Sequence, residues 1–109
     1  MKDFVLIYSL IKKSDDRHMV DNKSFLLELF DVLKPMECNN VKGLVRYSIT
    51  FSSRKNKVEI FNTINEKFSN RIYFQLLGIQ KSVINDKLLS NENFDIEFCT
   101  IVESFWKRI

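Results

Sequence analysis

Residues 45–79 read VRYSITFSSRKNKVEIFNTINEKFSNRIYFQLLGI, and the succession of patterns in this stretch decides the fold class. From Leu44 to Phe51, after Gly43, the residues Val45, Tyr47, Ile49 and Phe51 alternate with Arg46, Ser48 and Thr50, which predicts a strand with one apolar and one wet face. Asn56 with Glu59 three residues on has the form of a capping box, Asn replacing the usual Ser or Thr. Ile60, Phe61, Ile64 and Phe68 then fall at helical spacing, so a helix is predicted over 57–68. Ser69 and Asn70 end it. From Arg71 to Ile79, Ile72, Phe74 and Leu76 alternate with Tyr73, Gln75 and Leu77, as in a second strand.

Towards the N-terminus, Phe4 to Ile11 is β-branched and aromatic on both alternating faces, the pattern of a strand in mid-sheet, and Lys12 to Arg17 reads as the loop that leaves it. Asp21, Asn22 and Ser24 offer cap oxygens to a helix whose stripe is Leu26, Leu29, Phe30 and Leu33, and Pro35 stops it at Lys34. A short strand near Met36 to Asn39 completes this half. Towards the C-terminus, Ser82 caps a helical piece through Leu89, and Ser90 to Asn93 is a polar turn. Phe94, Ile96, Phe98, Thr100 and Val102 then alternate with Asp95, Glu97, Cys99, Ile101 and Glu103, which predicts a last strand. Phe105 to Ile109 either extends that strand or turns into a helix. The expected architecture is a single α+β domain over residues 1–109: a ferredoxin-like split βαβ sheet, helices on one face and an added C-terminal strand.

In pattern and spacing, Val45 to Ile79, with "RIYFQLLGI" as its closing strand, resembles the second half of the small CRISPR-adaptation endoribonucleases and the virulence-associated protein D toxins. Phe4 to Leu10 takes the place of their first strand, so the resemblance spans about two thirds of the chain. That family ends its first strand with an aspartate that follows an aromatic residue and binds a catalytic metal. Here Tyr8 is followed by Ser9, so the resemblance implies the fold and leaves the nuclease chemistry without its ligand.

Composition narrows the classes further. A chain of 109 residues with an apolar share of 45% has the material for one core. Two glycines and one proline are too few for a linker or a disordered arm. No run reaches the roughly 18 to 20 apolar residues of a membrane span, and Met1-Lys2-Asp3 places an acid where a signal peptide is basic, so a cytoplasmic protein is expected. Cys38 and Cys99 form no C-x-x-C and read as two buried thiols in a reducing compartment. Frequent Asn and Lys with no Ala fit an AT-rich gene, as phages and toxin-linked loci often have.

Candidate site residues fall into four groups. Arg46, Ser48 and Thr50, continued across a neighbouring strand by Tyr73 and Gln75, outline a basic, hydroxylated and aromatic sheet face for a nucleic acid, a protein or a second copy of the chain. Arg54, Lys55 and Lys57 form a basic link before a helix N-terminus, where an anion or an acidic partner docks, or else a solvated turn. Trp106 beside Lys107 and Arg108 is an interface anchor or a lid on the core. Asp15, Asp16 and His18 gather oxygens and an imidazole in one loop, as a divalent-metal site would, although such loops are commonly solvated.

No G-x-S-x-G, Walker A loop, G-x-G-x-x-G or H-E-x-x-H is present. With no catalytic set and no cofactor loop, the sequence points to a non-enzymatic protein-binding domain of immunity, antitoxin or inhibitor type, with no cofactor and no membrane partner. Its formal net charge of +3 suits an acidic or neutral protein partner, such as a toxin or a host or defence protein. The alternative expectation is a ferredoxin-like nucleic-acid-binding protein or metal-dependent ribonuclease, and a homodimer fits the same pattern.

Overall fold

The computed structural model describes residues 1–11, 18–44, 47–79 and 96–108. The strand predicted from Phe4 onward is β1, Lys2–Leu10, and it lies inside the sheet because both its neighbours in space come from later in the chain. Helix α1, His18–Leu33, follows; then come β2, Asn39–Gly43, and β3, Ser48–Ser53. Helix α2, Lys57–Phe68, leads to β4, Ile72–Ile79, and α3, Ile96–Arg108, is the last element. The fold is α+β: an open four-stranded antiparallel sheet in the order β2-β3-β1-β4, with three helices among the described residues.

Alternation along the strands divides the sheet into two faces. Phe4, Leu6 and Tyr8 of β1 stand beside Phe51 and Ile49 of β3 and beside Leu76 and Phe74 of β4, and this face meets the helices. Helix α1 contributes Phe25, Leu26, Leu29, Phe30 and Leu33, α2 contributes Ile60, Ile64 and Phe68, and α3 contributes Phe98 and Val102, all in one buried cluster. Aromatic edges tie the layer together: Phe25 meets Phe68 at 5.1 Å between α1 and α2, and Phe30 meets Trp106 at 5.5 Å between α1 and α3. Each such pair adds about 0.5–1.5 kcal/mol beyond its buried area.

A buried polar pair joins α1 to the sheet. The Tyr8 hydroxyl donates to Asn22 Oδ1 at 2.7 Å, and both residues are 3% exposed. Asn22, expected as a cap, therefore sits inside α1, which begins earlier at His18, and its amide serves the sheet. At the other end α1 stops at Leu33, and Pro35 sits in a 3-10 turn over Lys34–Met36 that closes with Glu37 in the left-handed region. The short strand expected near Met36 to Asn39 starts only after this turn.

Helix α2 has the predicted bounds. Asn56 Oδ1 accepts the Glu59 amide at 2.8 Å, while Asn56 Nδ2 donates to Glu59 Oε1 at 2.8 Å, so the box closes side chain to side chain. Beyond its C-terminus Arg71 pairs with Glu28 of α1, both partly exposed, an interaction worth at most about 1 kcal/mol.

Two expectations are corrected. The added C-terminal strand is instead α3: Phe98, Ile101, Val102 and Phe105 share one helical side, with Phe98 and Val102 buried and Glu97, Thr100 and Glu103 exposed. Alternation and helical spacing coincide over these residues, and Glu97 in the first turn with Lys107 and Arg108 in the last complements the helix dipole. The helix approaches β2 so closely that a Cβ built on Gly43 would lie 2.8 Å from Cys99 Cα. Second, the strand expected from Leu44 begins at Ser48, because Tyr47 takes a left-handed turn with φ of 62°. The expected pieces over 12–17, 82–89 and 90–93 lie outside the described residues.

Candidate functional site

The sheet face turned away from the helices carries Ser48, Thr50 and Ser52 of β3, Asp3, Val5, Ile7 and Ser9 of β1, and Tyr73, Gln75, Leu77 and Ile79 of β4. Register sets these residues in rows: Thr50, Val5 and Leu77 form one, and Ser48, Ile7 and Gln75 the next. Tyr73 follows beside Ser9. Three apolar side chains remain open to water on this face, Tyr73 at 70%, Leu77 at 47% and Ile7 at 43%. Among the residues that β3, β1 and β4 place here, Asp3 is the one charge, and the Ser52 hydroxyl donates to it.

The hydroxylated wet face expected of Arg46, Ser48 and Thr50 is corrected by this arrangement. Ser48 and Thr50 are 2% and 8% exposed on the inner strand β3, with Thr50 between Lys42 and Val5 in register. Tyr73 and Gln75 share their face but not an adjacent strand: β1 runs between, with Val5 and Ile7. Arg46 lies outside the described residues. The surface that results is apolar at its exposed end, around Ile7 and Leu77, with the hydroxyls of Ser9 and Tyr73 exposed beside it and Lys42 next to Thr50.

Arg54, Lys55 and Lys57 lie together on the link from β3 to α2, with Arg54 and Lys57 exposed and Lys55 half-buried. The link is built from within: the Ser53 hydroxyl donates to the Met36 carbonyl at 2.7 Å and accepts the Lys55 amide at 3.0 Å. Asn56 occupies the Glu59 amide that an anion would otherwise contact. Trp106 is half-buried, edge-on to Phe30, with the Lys34 ammonium 5.2 Å above its ring. It closes the α1–α3 seam. Asp15 and Asp16 lie outside the described residues, as does the side chain of His18, whose backbone opens α1. Among the described residues no three His, Cys, Asp or Glu side chains converge as metal ligands.

Burial holds two potentially reactive groups in their neutral forms. The buried Cys38 thiol is pushed up to about 11, against an opposing hydrogen bond with Ser53, and burial, with Tyr47 adding, drives the Tyr8 phenol upward as well. Both shifts run opposite to those of an activated nucleophile. Both cysteines are free. Among the described residues no helix is long and apolar enough to cross a membrane.

Sequence reasoning passed over Ile7 and Leu77. Ile7 sits in a strand that is apolar on both faces, so alternation gave it no distinction; the signal for Leu77 was its parity with Tyr73 and Gln75. No family model, curated protein or solved structure matches the chain.

Proposed function

We propose that this chain is a non-enzymatic protein-binding domain of the immunity, antitoxin or inhibitor kind, and that it holds its macromolecular partner on the open sheet face. The observation that carries this reading is the nearly charge-free patch of Ile7, Tyr73 and Leu77, exposed in the middle and at one edge of the sheet. Full burial of such side chains contributes roughly 1.5–3 kcal/mol each, and tyrosine is enriched among the residues that dominate interfaces. A partner meeting this patch would be matched to it by shape and apolar contact, with charge at the rim.

The connectivity supports a ferredoxin-like reading of the fold. Strands β1 and β2 flank β3, and β3 and β4 flank β1, so each βαβ unit is split by a strand of the other. Such a sheet keeps one face for its helices and leaves the other free.

The test is a quantitative capture from lysate of the cells that encode the protein, nuclease-treated, with the natural chain and with the double variant Ile7→Lys, Leu77→Lys. A stoichiometric protein retained by the first and lost by the second, at equal thermal stability, is the expected result. Equal retention by both, or retained material that is nucleic acid, would refute the reading.

A further inference from the structure

We propose that the free edge of β4 pairs with the same edge of a second copy of the chain, joining two sheets into one continuous antiparallel sheet about a two-fold axis at Gln75. The inference does not rest on the partner-binding reading, although it draws on Tyr73 and Leu77 of the same patch. It starts from the phase of the β1–β4 ladder. Ile11 donates its amide to the Arg71 carbonyl at 2.9 Å, so this pair is hydrogen-bonded and, by alternation, Tyr73, Gln75, Leu77 and Ile79 also turn their backbone groups towards β1. Ile72, Phe74, Leu76 and Gly78 therefore turn theirs outward. The β1–β3 ladder agrees, since Tyr8 donates to the Tyr47 carbonyl at 2.9 Å and points away from β4. Among the described residues no strand lies beyond β4.

Edge strands are ordinarily protected by a lysine, a proline, an inward charge or a bulge. Ile72–Ile79 has no charged residue and no proline, and its register with β1 runs unbroken from Leu10 to Asp3. Hydrogen-bond alternation specifies the occupant as an extended strand, and side-chain complementarity specifies this same strand. In the antiparallel register centred on Gln75, all four outward residues find an outward partner: Ile72 faces Gly78 of the copy and Phe74 faces Leu76. Space is open around Gly78, where an added Cβ would meet nothing within 4 Å. On the other face Tyr73 would lie against Leu77, and Gln75 against itself, so two exposed apolar residues cover each other and no like charges meet.

Helix α2 continues the same surface. Phe61 rests on Phe74 at 5.1 Å between ring centres, which places this flank of α2 above the β4 edge. Val58 and Phe61 are exposed there at 63% and 40%, with uncharged Asn62 and Asn65 beside them at helical spacing. The two-fold brings both flanks together, so apolar contact adds to backbone pairing and the interface is isologous.

Sedimentation velocity and light scattering of the full chain over a dilution series test the proposal. The natural chain is expected to give twice the monomer mass and to fall towards the monomer mass on dilution. Gly78→Pro removes an outward amide and leaves the β1 ladder intact, and it should raise the dissociation constant at least about tenfold, one lost hydrogen bond on each copy. Gln75→Lys and Gln75→Glu, at an exposed position, should each weaken self-association, and their equimolar mixture should restore a dimer containing one of each. A natural chain that stays monomeric at every concentration overturns the proposal. So does a dimer that both Gln75 variants and Gly78→Pro leave unchanged.

Discussion

Replacing Tyr8 by Phe removes one oxygen from the centre of the molecule and isolates its partner. The ring contacts survive, since Phe25 at 4.8 Å and Tyr47 at 5.6 Å touch the ring and not the hydroxyl. What disappears is the 2.7 Å bond to Asn22 Oδ1, between two residues each 3% exposed, so no water readily replaces it. A made hydrogen bond contributes about 0.5–1.5 kcal/mol net, and an orphaned buried acceptor brings the total loss to about 1–3 kcal/mol. Asn22→Ala strands the phenol instead and should lose a comparable amount. The double variant should lose clearly less than the sum of the two, with a coupling of about 1 kcal/mol or more. Urea unfolding followed by circular dichroism measures all four corners of the cycle. A Tyr8→Phe chain as stable as the natural one, or strictly additive losses, would refute the view that this pair joins α1 to the sheet.

Two further predictions concern the α3 seam and the alkaline limit. Gly43→Ala drives a Cβ to 2.8 Å from Cys99 Cα, a backbone atom, and should destabilise by about 1–3 kcal/mol. Gly78→Ala, in open space, should change stability by less than about 1 kcal/mol; thermal melting distinguishes the two at roughly 4–8 °C per kcal/mol, and equal melting points would contradict the close packing of α3. The Cys38 thiol rises from 9.0 to about 11 on folding, so its contribution is complete below pH 9 and is lost as pH rises through 11. Between pH 9 and 10 the stability of Cys38→Ala should therefore decline less steeply than that of the natural chain, and parallel curves would show that the thiol is not held neutral by burial.

Much of the fold was legible because local signals and tertiary packing agreed. Helix α2 announced itself through Asn56, Glu59 and a stripe whose Ile60, Ile64 and Phe68 are all buried, and β4 through strict alternation. Legibility failed where two periods coincide or where neighbours override composition. Phe98 and Val102 satisfy alternation and helical spacing alike, and the helical choice rests on contacts remote in sequence: Trp106 on Phe30, Phe98 on Tyr47 and Cys99 against Gly43. Ser48 and Thr50 looked wet because they are hydroxylated, yet strand order placed them inside the sheet. The exposed patch was half legible: Tyr73 and Gln75 declared themselves by alternation, whereas Ile7 is distinguished by lying on the side of β1 away from the described helices.

The position of β1 has a consequence for synthesis. Its residues bond to β3 on one side and to β4 on the other, out to the pair Asp3 and Ile79. Of the four strands β1 is thus translated first and flanked on both sides last, and at roughly 5–20 residues per second it waits on the order of 4–16 s for β4 to be translated. Until β3 and α2 emerge, Phe4, Leu6 and Tyr8 have only the nascent α1 to shelter them, and the edge of β1 that receives β4 stays open throughout the interval. Such a segment is a natural target for chaperones on the nascent chain, and the sheet can be completed only after β4 has left the exit tunnel.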